Sequence, residues 1–415
     1  MLTRRDFVKG GVALVSIGTT AQSLLKGAVA FAAQNSAYVA DPNNKKTLVL
    51  VQMAGGNDGL NTVVPASNAV YRSARKTLAL AEDGVLPLSE GYGLHPSLTG
   101  LKGLWDSGKL AVVRGVGYPS QNYSHFKSMA IWQAGDPKLQ LDSGWLGRTL
   151  EAMEGEQHDP FFGFNIGTST PAEMRSSKIA IPSVQKGEDY GIRVKGQISE
   201  PTHARTSTLL KLYEQYPSTS PYGALLETTS ETAISSSQML KDAALTYTPA
   251  VEYPASSFGS GLSLLAEAII GDLGMRVGHI TLGGFDTHNG QAEDHQALME
   301  TLDSGLTAFQ QDLAAHGKAD DVLVLTWSEF GRRVEENGNK GTDHGAASVM
   351  FALGNGVQKG MYGDAPDISA LVDNGNVPYT TDFRSVYATV IERWLGVPHE
   401  ALLGQKWDQL GFLGA

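Results

Sequence analysis

Acidic and imidazole side chains stand just beyond several apolar, β-branched segments of this chain: Asp58, Asp286, His288, Glu329 and His344. Carboxylates and imidazoles together form the ligand sets that zinc, manganese and iron take in proteins. If the apolar segments are parallel strands, these side chains emerge at one edge of a sheet. Without a cation, so many ionisable groups would repel one another and lose hydration. The pattern therefore predicts a divalent-metal site, with zinc or manganese as candidates.

Each residue also has an ordinary explanation when it is taken alone. An aspartate after a strand, such as Asp58, is commonly a turn former or a helix cap. Arg332 and Arg333 could pair with nearby glutamates, and the polar stretch 328–345 could be a solvated loop. The joint placement of the polar residues at predicted strand ends favours a functional site.

Short, continuous apolar segments predict strands that are buried on both faces. These segments cover residues 47–53, 110–116, 278–282, 322–326 and 349–353. Helical patterns lie between them, and the clearest runs from Ala292 to His316, with apolar residues at spacings of three and four. Another helix is predicted from Asp382 to Leu395, with Asp382 as its cap. The alternation predicts a three-layer α/β fold around a mostly parallel sheet.

Residues 1–32 are predicted to be a twin-arginine signal peptide. The segment 3–9 (TRRDFVK) carries the arginine pair, and small residues around 28–32 offer cleavage positions. Polar residues interrupt the apolar stretch between them, so no stable membrane insertion is expected. The mature protein is predicted to be periplasmic or secreted. Residues 33–415 would form one domain, with a helical cap inserted at about 196–258, where serine, threonine and proline are frequent.

The composition argues against nucleic acid as a binding partner and excludes cysteine chemistry. The formal net charge is −11, and no basic cluster is present, so the chain is a poor candidate for binding nucleic acid. The chain contains no cysteine, which excludes disulfide bonds, thiolate nucleophiles and thiolate metal ligands.

Longer motifs extend over nearly the whole mature chain. They are LVLVQMAGGNDGLN at 48–61, SHF at 124–126, GFDTH at 284–288, SEFGR at 328–332 and GTDHG at 341–345. These motifs resemble a large bacterial family of exported proteins, domain-of-unknown-function family 1501, and more distantly the alkaline phosphatase superfamily. The resemblance implies an alkaline-phosphatase-like fold with a divalent metal.

The resemblance also implies roles for single residues. Asp58 resembles the metal ligand that follows the first strand, and Ser124 resembles a nucleophile at a helix start, where unpaired amides would favour an anion. Asp286 and His288 resemble the aspartate and histidine of one metal site, although only two residues separate them. Arg332 is placed to pair with the anionic group of a substrate.

The stretch 326–345 can be aligned with the superfamily in two registers. In the first, Glu329 replaces an aspartate ligand, Phe330 replaces a metal-binding histidine, and His344 completes the other metal site. In the second, Asp343 and His344 form the adjacent aspartate–histidine pair. The first register keeps both flanking apolar segments in place, whereas the second keeps more of a two-metal site.

Two functions follow from these observations. The first is a metal-dependent hydrolase of phosphate or sulfate esters that acts on a small anionic ester, with Ser124 attacking. The second is a catalytically degenerate binding or assembly protein of the cell envelope, with an envelope component as its partner. The density of polar groups at one edge favours the first function. The loss of an imidazole at Phe330 and the short spacing between Asp286 and His288 favour the second.

Overall fold

The computed structural model describes residues 44–141, 143–153, 159–187, 211, 223–373 and 375–414, without the side chains of 223–229, 231 and 232. The predicted signal peptide at 1–32 lies outside the described residues, as does most of the first half of the predicted cap at 196–258. The division of the chain into signal peptide, domain and cap stays a prediction. In the described part of the chain, no helix is both long and apolar enough to cross a bilayer.

The strands are β1 (Thr47–Ala54), β2 (Val63–Val64), β3 (Leu86–Pro87), β4 (Gly93–Leu94), β5 (Leu110–Gly117), β6 (Gly163–Ile166), β7 (Ser183–Val184), β8 (Val277–Gly283), β9 (Val322–Trp327), β10 (Gly331–Glu336), β11 (Thr342–Gly345), β12 (Ser348–Leu353), β13 (Gly360–Tyr362) and β14 (Thr381–Asp382). The α-helices are α1 (Gly59–Thr62), α2 (Ala69–Ala74), α3 (Thr99–Asp106), α4 (His125–Ala134), α5 (Trp145–Met153), α6 (Gly223–Thr246), α7 (Ser257–Ile270), α8 (Gln291–Ala315) and α9 (Phe383–Thr389). A short 3-10 turn spans Ala172–Met174, and a π-helical turn, Val390–Trp394, continues α9.

The predicted apolar segments are the central strands of the main sheet. Within the described residues this sheet has the order β13-β5-β12-β9-β1-β8-β6-β7, with β14 also paired to β5. β1 runs parallel to both β8 and β9, whereas β12 runs antiparallel to β5 and β9. The prediction of a mostly parallel sheet is confirmed, and β12 is its exception. Because β12 is reversed, its first residue lies at the edge where the parallel strands end.

Successive residues of a central strand point to opposite faces of the sheet and pack into two separate hydrophobic cores. On one face, Val49 and Val51 of β1 belong to a cluster that includes residues of α3, α7 and α8. On the other face, Leu48 and Leu50 belong to a cluster that includes residues of α4, α5 and α9. A strand whose two faces are both covered must be apolar throughout, which explains the continuous apolar segments in the sequence. The predicted three-layer α/β fold is confirmed.

The two clearest predicted helices are present. α8 begins at Gln291 and ends at Ala315, within one residue of the predicted bounds. Asp382 caps α9, since its side chain accepts a hydrogen bond from the backbone N–H of Arg384. The helical turns end at Trp394, one residue before the predicted end.

The glycine-rich stretch after β9 is more ordered than a solvated loop. β10 and β11 form an antiparallel two-stranded sheet in which Arg332 faces His344. Charged residues interrupt both β10 and β11, so neither strand has a continuous apolar pattern in the sequence. The small sheet holds His344 and Arg332 beside the edge of the main sheet.

Candidate metal centre

The structure brings three imidazoles around one carboxylate at the edge where the parallel strands end. His125 begins α4 after β5, Asp286 and His288 follow β8, and His344 lies on β11 just ahead of β12. His288 Nε2 and His344 Nε2 each lie 3.1 Å from Asp286 Oδ1, and His125 Nε2 lies 3.5 Å from Asp286 Oδ2. The Nε2 atoms of His288 and His344 are 2.9 Å apart. In the described part of the chain, His125, Asp286 and His344 offer ligand atoms within 4.8 Å of one another.

Each imidazole is held at its other ring nitrogen. Nδ1 of His344 lies 2.8 Å from the carbonyl oxygen of Tyr123. Nδ1 of His125 lies 2.9 Å from Glu329 Oε1, and Nδ1 of His288 lies 3.3 Å from Asp343 Oδ1. These contacts turn all three Nε2 atoms toward Asp286. Second partners of this kind fix the orientation and tautomer of metal-binding histidines.

Glycines let the end of β1 approach this cluster. A Cβ atom on Gly55 would collide with the backbone of Phe285 and Asp286, and Gly55 has φ +124°. A Cβ atom on Gly56, at φ +84°, would collide with the ring of Phe330. The Phe330 ring packs against the rings of both His125 and His344, with centroids 4.9 and 4.4 Å away. Phe330 therefore lies beside the imidazoles and supplies none itself.

Arg332 fixes the orientation of the Asp286 carboxylate. Its guanidinium is buried, and Nη2 lies 2.8 Å from Asp286 Oδ1. Its N–H groups also donate to the carbonyl oxygens of Gly55, Gly56, Phe285 and Thr342. Burial opposes ionisation of Asp286, but hydrogen bonds from Arg332 and His344 outweigh it and lower its pKa to about 2. These contacts occupy the Arg332 donors. The resemblance had implied that Arg332 pairs with the anionic group of a substrate, and the geometry does not present Arg332 for that contact.

Asp343 and Glu329 contact the Nδ1 atoms of His288 and His125, on the side of each ring away from Asp286. Asp343 Oδ1 accepts a hydrogen bond from Asn337 Nδ2 at 3.1 Å, which together with His288 lowers the pKa of Asp343. Glu329 is buried, and its Oε1 accepts from the Gly55 backbone N–H at 2.9 Å as well as facing His125. Direct metal ligation by either carboxylate stays a prediction.

Asp58 lies in a buried ion pair. Its two carboxylate oxygens contact Arg75 at 2.5 and 2.9 Å, and both side chains are fully buried. Oδ1 also accepts from the Leu60 backbone N–H, which caps α1, and Oδ2 accepts from Gln291. Burial opposes ionisation of Asp58, but the charge and hydrogen bonds of Arg75 outweigh it and lower its pKa. The contacts found for Asp58 are those of a structural ion pair, and its predicted role as a metal ligand stays a prediction.

We expect Asp58→Asn to destabilise the fold while leaving metal content unchanged. Removing the charge leaves Arg75 buried without its counter-ion, which costs about 3–5 kcal/mol of unfolding free energy. Because the Asp58 pKa is lower in the folded than in the unfolded chain, the stabilisation by the pair is full at neutral pH. It is lost as the pH falls below about 4. Urea unfolding with the exposed Asp83→Asn as control measures the effect. Loss of bound metal at unchanged stability would instead make Asp58 a ligand.

Ser124 occupies the position immediately before the first residue of α4. It caps this ten-residue helix with its backbone only, since its side chain makes no capping hydrogen bond. The residue is exposed. Its neighbour His125, within the motif 124–126, is a candidate ligand that the sequence pattern does not predict. The signal that could have identified it is a histidine at a helix start after a buried strand.

The fold and the cluster together define an α/β protein with a candidate metal centre at the edge of a mostly parallel sheet. The chain belongs to the family described as protein of unknown function (DUF1501), whose model matches residues 103–406. The family indicated by the sequence motifs is therefore confirmed. No curated protein matches the chain by sequence.

Several solved structures are similar to this chain at low identity. They include a protein in the alkaline phosphatase superfamily from Vibrio parahaemolyticus, with 11% identity, coverage of 94% of this chain and 78% of that chain, and a TM-score of 0.38. A lipoteichoic acid synthase from Listeria monocytogenes has 10% identity, coverage of 87% and 76%, and a TM-score of 0.40. A sulfatase from Pseudoalteromonas sp. has 11% identity, coverage of 88% and 70%, and a TM-score of 0.39. At these TM-scores the similarity carries no argument about function.

Proposed function

We propose that this protein is a metal-dependent hydrolase of phosphate or sulfate esters, with its cation held by His125, Asp286, His288 and His344. The observation that carries the proposal is the convergence of three Nε2 atoms on one carboxylate. This set differs from the one predicted from the sequence. It adds His125 and leaves Asp58, Glu329 and Asp343 in supporting positions.

The hydrogen-bond partners support a site that holds a cation. The carbonyl oxygen of Tyr123 can only accept, so Nδ1 of His344 carries the proton and its neutral ring presents a bare Nε2. Burial lowers the pKa of His344, which favours this neutral form. Glu329 and Asp343 accept from His125 and His288 in the same way. In these neutral tautomers the three Nε2 atoms and Asp286 converge as acceptors, and a cation would take the place of the hydrogen bond between His344 and Asp286 and satisfy all four groups.

The spacing of the ligand atoms agrees with this interpretation. In a tetrahedral site with metal–ligand bonds of 2.0–2.1 Å, ligand atoms lie about 3.3 Å from one another. Among Asp286 Oδ1, His288 Nε2 and His344 Nε2 the distances are 2.9, 3.1 and 3.1 Å, and His125 Nε2 lies 3.5 Å from the other carboxylate oxygen, Asp286 Oδ2. Nitrogen and oxygen ligands without sulfur suit zinc or manganese.

The side chains around the cation have different proposed roles in ester hydrolysis. A bound divalent cation would supply Lewis-acid polarisation of the ester. Ser124 presents a hydroxyl next to His125 and is our candidate nucleophile. Its Oγ bonds to phosphorus or sulfur as the bond to the alcohol oxygen breaks, and the hydroxyl proton leaves with the alcohol. Water then hydrolyses the seryl ester. Arg332 holds Asp286 in place, which makes it a positioning residue.

Another arginine is a better candidate for contacting the anionic group. Arg333 is partly buried, and its Nε has no hydrogen-bond partner within the described residues. Its charge acts on both Tyr123 and Asp343, which support His344 and His288. An arginine without a carboxylate partner can offer its N–H groups to a phosphate or sulfate.

The proposal is tested with the full chain purified from the compartment to which it is exported. We expect about one equivalent of divalent metal by elemental analysis, together with hydrolysis of p-nitrophenyl phosphate or p-nitrophenyl sulfate. A chelator should abolish turnover, and added zinc or manganese should restore it. Turnover that is insensitive to the chelator would contradict the mechanism.

The same experiment also tests the second function, a catalytically degenerate binding or assembly protein of the cell envelope. Phe330, which packs against His125 and His344 and supplies no imidazole, is compatible with a catalytically degenerate envelope protein that keeps one metal. Stoichiometric metal without turnover of either ester would favour that function. Export through the twin-arginine pathway, with residues 1–32 as the signal peptide, is part of both proposals and places the protein in the periplasm or outside the cell.

A further inference from the structure

A cavity of about 330 Å³ lies beside the candidate metal centre. One wall comes from the loop between β5 and α4, with Tyr118, Ser120 and Gln121. Ala346, Asp373 and Tyr379 also line the cavity. This volume is at the lower end of the range for small-molecule sites, about 300–1,000 Å³, and suits a single ring.

The cavity and the metal centre share supporting residues. Gln121 Nε2 lies 3.4 Å from the carbonyl oxygen of Glu329, whose side chain holds His125. Tyr123 accepts from His344 through its carbonyl oxygen, and its hydroxyl lies 3.4 Å from Asp373 Oδ2. Ala346 is two residues beyond His344 in the chain. A ligand in the cavity would therefore lie next to the imidazole cluster.

Two polar groups of the cavity can only accept hydrogen bonds. Gln121 Oε1 is buried and has no partner within the described residues. Asp373 adds a carboxylate, and none of the described residues that line the cavity is a lysine, arginine or histidine. These acceptors favour a ligand that donates hydrogen bonds, and the Asp373 carboxylate disfavours a second anionic group.

Apolar surface and backbone strain accompany these acceptors. The side chain of Tyr379 is 41% exposed, so its ring presents a face to a ligand. Ser120 and Asp373 adopt positive φ angles of 58° and 42°. Non-glycine residues rarely adopt this conformation, and such strain is concentrated at binding and catalytic sites. Both residues line the cavity, and the strain at these two positions supports our inference that it is a ligand site.

We propose that this cavity binds an uncharged ring bearing hydroxyl groups, that is, the sugar portion of a sugar phosphate or sugar sulfate. The inference rests on the proposed function, since the anionic group would lie at the imidazole cluster. Hydroxyl groups would donate to Gln121 and Asp373, and the apolar face of the ring would pack on Tyr379.

Calorimetry with the full chain tests the cavity separately from catalysis. The probes are methyl glycosides of glucose, galactose and N-acetylglucosamine, which lack an anionic group, and inorganic phosphate, which lacks a sugar. We expect at least one glycoside to bind, and we expect Tyr379→Ala and Asp373→Asn each to weaken its binding about tenfold. Inorganic phosphate should bind both variants as it binds the wild type. Asp294→Asn, an exposed substitution on α8, is the matched control.

The outcomes separate the two proposals. Glycoside binding that depends on Tyr379, in a protein without ester hydrolysis, would support the sugar site while the hydrolase proposal fails. Absence of binding by all three glycosides, or binding that neither variant weakens, would overturn the sugar site. Binding of ethanolamine through Asp373 in place of a glycoside would also overturn it, because that result would assign the cavity to a cation.

Discussion

Asp286→Asn is expected to remove the bound cation almost completely. The substitution keeps the shape of the side chain but replaces a carboxylate that all three imidazoles face by a neutral amide. Substitutions of groups behind metal ligands typically weaken binding 10–100-fold, so loss of a ligand charge should exceed about 100-fold. Because the Asp286 side chain is 50% exposed, the fold should tolerate the change. Metal content after gel filtration and competition with a chromogenic chelator measure the effect.

Two further variants make this prediction specific. Asp294→Asn, which removes an equal charge from an exposed position on α8, should keep the wild-type metal affinity. Glu329→Gln should retain metal with an affinity reduced about 10–100-fold, since it alters the partner of His125 and not a ligand in our proposal. Wild-type affinity in Asp286→Asn would contradict the site. A greater loss in Glu329→Gln than in Asp286→Asn would favour the register in which Glu329 is itself a ligand.

Ser124→Ala is expected to reduce ester hydrolysis by about a thousandfold or more while metal content stays unchanged. Removing the nucleophile of a serine hydrolase has an effect at least this large. The exposed Ser124 hydroxyl makes no capping hydrogen bond, so its loss should not disturb α4. Steady-state kinetics with p-nitrophenyl phosphate and p-nitrophenyl sulfate, together with elemental analysis, measure both properties.

Ser73→Ala provides the matched control for this variant. Ser73 is an exposed serine on α2 whose hydroxyl donates only to the Val70 carbonyl oxygen. Its substitution should leave turnover and metal content as they are. If Ser124→Ala retains wild-type turnover, Ser124 is not the nucleophile, and direct attack by water replaces the seryl ester in the mechanism.

The central strands could be predicted from the sequence because both of their faces are buried. β1, β5, β8, β9 and β12 are mostly apolar, with buried polar exceptions such as Gln52, Arg114 and His279, and this is still a strong local signal. The antiparallel direction of β12 could not be predicted, since burial is the same in either direction. β10 and β11 could not be predicted because charged residues interrupt any apolar pattern, and their contacts, such as those of Arg332, are made to loops distant in the chain.

The site could be predicted in part. Convergence of Asp286, His288 and His344 could be predicted because these residues follow β8 and β9, two parallel strands whose carboxyl ends lie at one edge. His125 could not be assigned, because a single histidine at a helix start is a weak signal and its partner Glu329 lies 204 residues away in the chain. The roles of Asp58 and Arg332 depend on partners that are distant in the chain. Arg75 lies 17 residues from Asp58, and the carbonyl groups that surround Arg332 come from two other loops.

Anomalous diffraction from crystals of the full chain loaded with zinc or manganese tests the central claim most directly. We predict a strong peak about 2.0–2.2 Å from Asp286 and from the Nε2 atoms of His125, His288 and His344. A peak beside Asp58 and Arg75, or a metal-loaded crystal without a peak among these imidazoles, would contradict the account.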